Sequence, residues 1–215
     1  MDLSGKIALV TGASRGIGEA LAIGLAEHGT DIIICDLESE SRGLANTQKQ
    51  IEKTGKKCWS YFLDVTKKSQ IQKMGSDILS DIGSIDILVN NAGILTPTSL
   101  EEIDEKTWDN HFEVNTKGVL LMCQSVLPHM REKKSGRIIN IASIAGRQGS
   151  PTQGHYASTK SAVITLTRVL AQEVGEAGIT VNAICPGIIL TEMGKNNLGS
   201  EKEIEHWSNV AALKR

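Results

Sequence analysis

Short β-branched runs alternate along this chain with longer segments of helical periodicity, and few folds accommodate that order. Ile7 to Thr11, Asp31 to Cys35, Cys58 to Leu63, Ile85 to Val89, Arg137 to Ala142 and Ile179 to Ile184 read as strands. Helical patterns separate them, over Ile17 to His28, Ser41 to Thr54, Lys67 to Ile82, Leu100 to Arg131 and Tyr156 to Gly175. Each crossover returns the chain to the same end of the sheet. The expectation is therefore an α/β fold, a six-stranded doubly wound parallel sheet with helices on both faces. No linker or repeat interrupts residues 1–215, so a single domain is expected. Apolar residues make up 40% and aromatics only 3%, which leaves Ile, Leu, Val and Ala to fill the doubly buried strands such a sheet needs.

Charge and composition exclude several functions. A formal net charge of −2 gives no broad positive field for nucleic acid or an anionic membrane. The basic pairs Lys67-Lys68 and Lys133-Lys134 read as solvated helix ends. No apolar stretch reaches membrane-spanning length, and the amino terminus lacks a secretory pattern. Cys35, Cys58, Cys123 and Cys185 are scattered without a C-x-x-C pair, so a reducing, cytoplasmic setting is expected, with Cys185 a small buried residue. His28, His111, His129 and His206 show no metal-ligand spacing, and no metal is expected. His155, beside Tyr156, points about 100° away from it on a helix and is expected to face solvent.

The turn after the first strand reads Thr11-Gly12-Ala13-Ser14-Arg15-Gly16-Ile17-Gly18. Glycines between a buried strand and a helix let backbone amides and the helix amino end approach a pyrophosphate, although such turns also occur simply as tight turns. Asp36 closes the second strand about twenty residues on, where a carboxylate accepts hydrogen bonds from an adenosine ribose. It would repel a 2′-phosphate, and Leu37 supplies no arginine to offset it, so NAD is expected over NADP. The plainer reading of Asp36 is a turn or helix cap. Asp64-Val65 and Asn90-Asn91-Ala92-Gly93 end the third and fourth strands at the same sheet edge, which suggests adenine-flanking roles, with Asp64 accepting from the adenine amino group.

Tyr156 and Lys160 stand one helical turn apart on one face, and Ser143 ends the preceding strand at the same edge. A free phenol is a poor acid at neutral pH, whereas a nearby ammonium stabilises phenolate and lowers its pKa. Tyr156 would exchange the proton, Lys160 tune it and Ser143 hold the oxygen.

Taken together, Thr11-Gly12-x-x-x-Gly16-x-Gly18, Asn90-Asn91-Ala92-Gly93, Asn115, Ser143, Tyr156-x-x-x-Lys160 and Pro186-Gly187 resemble the short-chain dehydrogenase/reductase family. The resemblance implies a Rossmann fold and a catalytic set of Asn115, Ser143, Tyr156 and Lys160. It implies that Lys160 also binds the nicotinamide ribose, that Asn115 supports a proton-relaying water, and that the Ile189 backbone and Thr191 hydroxyl meet the nicotinamide carboxamide. It also implies a homodimer or homotetramer. The chain departs from the family after an Ala-x-Leu-Lys-Arg-like segment, where relatives continue into a further helix and strand.

The expected activity is NAD-dependent interconversion of a secondary alcohol and a ketone. The segment Ser143 to Gly149 resembles those of polyol and diol dehydrogenases, and Arg147, Gln148 or Gln153 are candidates to meet a polar substrate. Two alternatives stand beside it: reduction of 3-oxoacyl-[acyl-carrier-protein], whose acidic partner the Gln172 to Ala177 segment would repel, and a non-catalytic NAD-binding sensor. Irregular segments are expected at Ile94 to Ser99 and Gly187 to Gly199. Residues 187–212 are expected to form a substrate lid containing Ile188 and Met193, with a helix from about Glu201 to Leu213. The sixth strand is expected to keep an open edge.

Overall fold

A computed structural model describes residues 2–210. Six parallel strands form one sheet in the order β3-β2-β1-β4-β5-β6. They are β1 (Ile7–Thr11), β2 (Asp31–Asp36), β3 (Cys58–Phe62), β4 (Ile87–Asn90), β5 (Gly136–Ile141) and β6 (Ile179–Ile184). The order reverses between β1 and β4, paired from Ala8↔Ile87 to Val10↔Val89. That switch point leaves a crevice at the carboxyl ends of the strands.

Strand residues alternate between two apolar layers. Leu9, Ile33, Leu88 and Ile138 pack with α3 (Lys68–Asp81), α5 (Gly118–Lys133) and α7 (Gly154–Val174). Ala8, Val10, Ile32, Ile34, Ile87 and Val89 pack on the other face against α1 (Gly16–Glu27) and α2 (Ser41–Lys53). At the edge, β6 alternates buried and exposed residues, with Ile184 47% exposed. The expected open edge is present among the described residues.

Two expected elements differ. The region from Leu100 to Arg131 is not one helix: a short 3₁₀ turn precedes α4 (Glu105–Phe112), a π-helical turn spans Glu113–Lys117, and α5 follows. The π turn has a role, since it carries the fully buried Asn115. The segment after β6 is less irregular than its glycines suggest. The Thr191 hydroxyl accepts from the Gly194 amide at 3.2 Å and caps α8 (Glu192–Leu198). Helix α9 (Glu201–Val210) follows, and the last residues of the expected helix lie outside the described ones.

Candidate active site

At the β1 end the site is built from backbone. Gly12 and Gly16 have φ of +63° and +61°, a region that residues with a Cβ rarely enter. A Cβ on Gly18 would run into the Gly12 carbonyl oxygen, and one on Gly12 would come within 2.8 Å of Ala92 Cα. Arg15 caps α1 from an extended backbone without a side-chain hydrogen bond, which leaves first-turn amides available to an anion. These residues fit a dinucleotide pyrophosphate. The turn is strapped across the switch point: Thr11 Oγ1 accepts from the Asn91 and Ala92 amides, each at 3.0 Å. The Asn91 side chain donates to the Thr11 and Gly12 carbonyls at 3.0 and 2.9 Å. Sequence reasoning placed Asn91 and Ala92 beside the cofactor but did not single out Thr11, which joins them to the turn.

Around the adenosine end, Asp36 accepts from the Ser14 amide at 3.0 Å and the Leu37 amide at 2.9 Å. It therefore shapes the turn, and its remaining lone pairs leave capacity for a ribose. Arg15 contacts Glu40 at 2.5 Å and Glu192 at 3.5 Å. Asp64 is occupied locally, taking the Thr66 amide and hydroxyl at 2.9 and 2.8 Å, while Val65 packs against Gly118. Ile17 is half-buried in the first turn of α1. On the far side the Pro186 carbonyl accepts from the Ile144 amide at 3.0 Å. Gly187 and Ile189 are exposed, and Cys185 is half-buried, not buried as expected, because β6 is a sheet edge. Thr191 reaches back across the crevice, its γ-methyl 3.1 Å from where a Cβ on Gly16 would stand.

The predicted chemical groups do converge. Ser143 follows β5, and its Oγ accepts from the Ala145 amide at 3.1 Å at the start of α6 (Ala145–Gln148). Tyr156 lies in the first turn of α7, and Lys160 Nζ sits 5.6 Å from its ring centroid. Gly93 separates the parts: a Cβ there would lie 3.2 Å from Asn115 Oδ1 and 3.5 Å from Lys160 Nζ. Asn115 is committed to the backbone of Ile94, accepting from its amide at 2.8 Å and donating to its carbonyl at 2.9 Å, with Thr159 Oγ1 at 3.1 Å.

The electrostatics differ from the expectation in one respect. Burial raises the Tyr156 phenol above its ordinary value, opposed only by its hydrogen bond with Ser143. No lowering by Lys160 opposes this, and its Nζ, 5.6 Å from the ring centroid, donates to the Ile141 carbonyl at 2.8 Å. Burial also drives Lys160, 4% exposed, down to about 8. Both shifts have one physical cause, the scarcity of water around two groups whose charged forms need it.

A second expectation fails at His155. The ring is fully buried, because the segment after β4 and helix α4 cover the start of α7. The helical angle to Tyr156 was right, but the direction assumed to be solvent is filled with protein. Sequence reasoning also missed a polar seam under the site, in which Asn90 donates to Asn140 at 2.9 Å and Asn140 to Thr167 at 2.9 Å. Gln153 donates to Asn197 of α8 at 2.8 Å, while Arg147 and Gln148 are exposed on α6. Among the described residues no group of three or more His, Cys, Asp or Glu is placed to hold a metal, and no helix is long and apolar enough to cross a membrane.

A switch-point crevice with a glycine turn on one side and a Ser-Tyr-Lys group on the other defines a Rossmann-type oxidoreductase that uses a nicotinamide dinucleotide. Residues 6–202 match the family model for short chain dehydrogenases, and the chain belongs to that family, oxidoreductases acting on CH–OH groups. Curated relatives include the 3-oxoacyl-[acyl-carrier-protein] reductases FabG of Staphylococcus epidermidis, 41% identical over 188 residues (87% of this chain, 77% of the relative), and Thermotoga maritima, 39% over 193 (90% and 78%). Among solved structures, a putative short-chain alcohol dehydrogenase from Sinorhizobium meliloti 1021 superposes with TM-score 0.94 at 35% identity, covering 100% of this chain and 84% of its own. Levodione reductase gives 0.94 at 32% (99% and 85%). NAD+-bound xylitol dehydrogenase gives 0.94 at 29% (100% and 88%).

Proposed function

We propose that this chain is an NAD-dependent dehydrogenase that interconverts a small polar secondary alcohol, such as a polyol or diol, with its ketone. The observation that carries the reading is the grouping of Ser143, Tyr156 and Lys160, with Tyr156 bonded to Ser143, Lys160 Nζ 5.6 Å from the Tyr156 ring, and Lys160 bordering Gly93. A bound nicotinamide supplies the hydride acceptor or donor. Ser143 and Tyr156 hold the reacting oxygen, and Tyr156 moves the proton to or from it. Lys160, with a pKa of about 8, is still largely an ammonium at neutral pH. Burial dominates the resting phenol, and Lys160, 5.6 Å from the ring centroid, is near enough for its ammonium to favour the phenolate once Tyr156 gives up its proton. Gly12, Ser14, Arg15, Gly16, Ile17 and Gly18 would hold the pyrophosphate, Asp36 and Leu37 the adenosine, Asp64, Val65, Asn91 and Ala92 the adenine side, and Pro186, Gly187, Ile189 and Thr191 the nicotinamide, with Gly93 beside Lys160 at that end rather than at the adenine.

Local charge supports NAD over NADP. Asp36, Glu38 and Glu40 crowd the adenosine end, and Arg15, the cation nearest the turn, is already paired with Glu40. Residues 1–215 would act as one catalytic domain, with 187–212 as the lid, in a cytoplasmic homodimer or homotetramer. A second reading, 3-oxoacyl-[acyl-carrier-protein] reductase, is favoured by the names of the curated relatives. Glu173 and Glu176, expected to repel an acidic carrier, are exposed but stand at the far end of α7, about 25 Å along the helix from Tyr156, and so do not weigh against that reading.

The deciding experiment follows NADH formation or loss with sugar alcohols, diols, hydroxy acids and acyl thioesters, each also with the phosphorylated cofactor. Turnover of diols or polyols with NAD supports the first reading, and turnover confined to acyl thioesters supports the second. Silence despite dinucleotide binding would leave a non-catalytic sensor. Asp36→Ala should raise the KM for NAD about tenfold or more and improve NADP; unchanged discrimination sinks the cofactor assignment.

A further inference from the structure

Two imidazoles lie edge to face beneath the start of α7, His111 from α4 and His155 from α7, with centroids 4.1 Å apart. Both are sealed, at 1% and 0% exposure. The state of His111 is fixed by its partners. A carbonyl can only accept, so the 2.7 Å contact with Thr107 O puts the hydrogen on Nδ1. Nε2 must then be a bare acceptor, and it takes the Thr96 amide at 3.3 Å. Only one protonation state satisfies both contacts. Neither nitrogen of His155 has a hydrogen-bond partner among the described residues.

The segment after β4 depends on this arrangement. Residues 94–103 are tied to Asn115 at Ile94, to His111 at Thr96, and to the start of α7 at Thr98, whose amide donates to Thr152 O at 2.8 Å. Leu100 also packs on Gly154, where a Cβ would come within 2.7 Å of its δ-carbon. These contacts end two residues from Tyr156.

We propose that His111 is a positioning residue whose neutral Nδ1–H form docks residues 94–103 onto the start of α7, and that a proton on Nε2 releases them. A protonated Nε2 would point a donor at the Thr96 donor and leave that amide without an acceptor. The consequence for turnover rests on the hydride-transfer reading; the docking itself does not.

Among the described residues no charged side chain is hydrogen-bonded to either ring. On the α4 side Asp104, Glu105, Lys106, Asp109 and Glu113 rim an open depression that His111 borders. Asp104 is committed to the Thr107 amide and Glu113 to Lys117. On the loop, Glu102 holds the Ser99 hydroxyl and Glu101 is exposed. On α7, Lys160 donates to Ile141 O, and Tyr156 is bonded to Ser143. Burial holds His111 below its ordinary pKa, the Thr107 carbonyl opposes this, and His155 adds to the lowering. The released form therefore binds more protons than the docked one. Docking is fully present above about pH 6.5, the ordinary histidine value, and weakens as pH falls below it.

The test needs no substrate. Imidazole nitrogen NMR and amide exchange are followed from about pH 8 to about pH 5 on the full chain. The Thr96 amide should lose about tenfold or more of its protection, corrected for intrinsic exchange, with the midpoint of the His111 ring, while the core amides of Leu9 and Ile33 keep theirs. His155→Phe keeps a ring beside His111 but takes no proton, and the Thr96 response should persist in it. A neutral His111 carrying its hydrogen on Nε2 overturns the proposal. So does Thr96 protection that stays flat through the His111 titration, or a response that His155→Phe abolishes. A chain that turns over no alcohol yet shows the linked response sinks the functional reading alone; normal turnover with a flat Thr96 sinks this one alone.

Discussion

The glycine turn after β1 and the segment after β6 meet at Gly16, yet they are held there by different means. The turn is fixed by its backbone conformation and by two short side chains beside it: two positive φ angles, a Cβ-free approach to Ala92, and four hydrogen bonds made by the Thr11 hydroxyl and the Asn91 carboxamide. The later segment is held by a backbone bond, from the Ile144 amide to the Pro186 carbonyl, and by the longer side chains of Arg15 to Glu192 and Gln153 to Asn197. It also leaves Ile188, Ile189, Leu190 and Met193 exposed. A cofactor common to many reactions suits the rigid side. A substrate that must enter, be enclosed and leave suits the loose one.

The contrast can be pressed hardest at the junction of the two sides. Tyr156→Phe should cost about 10²- to 10⁴-fold in kcat while dinucleotide binding stays intact, measured by stopped-flow turnover and by cofactor titration. Near-normal turnover would remove the phenol from the chemistry. On the rigid side, Thr11→Val keeps the shape but deprives the Asn91 and Ala92 amides of their acceptor. Each orphaned amide should cost about 1–3 kcal/mol, and thermal melts should fall by about 2–4 °C per kcal/mol. A variant that melts with the parent would show that the strap is not needed. On the loose side, Glu192→Gln removes an exposed contact of 3.5 Å to Arg15. Such pairs contribute about 0–1 kcal/mol, so cofactor affinity should change less than about fivefold, checked by isothermal titration. A larger loss would mean that the segment after β6 is built as firmly as the turn.

The same division governs what was legible in the sequence. Gly12, Gly16 and Gly18 were readable because strand, turn and helix are local, and Ser143, Tyr156 and Lys160 because a βα unit brings its own ends together. The parallel sheet of six strands followed from alternation and the crossover rule, whereas the order β3-β2-β1-β4-β5-β6 is seen only in the fold. What escaped notice was set by contacts distant in sequence. Thr11 meets Asn91 only across the switch point, and Gln153 meets Asn197 only once α8 folds over the mouth. The burial of His155 escapes for the same reason, since no helical period reveals that α4 brings His111 against it. Lys160 failed in a subtler way. Its position was right, but its ammonium is engaged by the Ile141 carbonyl, and burial rather than the cation dominates the phenol.

The π turn at Glu113–Lys117 makes this stretch intolerant of length change. Such a turn holds one residue more than an ordinary helix would, and each helical residue is worth about 100° of rotation. Deleting a single residue there would heal the helix yet act as a phase error, turning α4 against α5 and swinging the Asn115 amide off Ile94. Insertions and deletions should therefore be purged from these five positions while neighbouring surface loops absorb them.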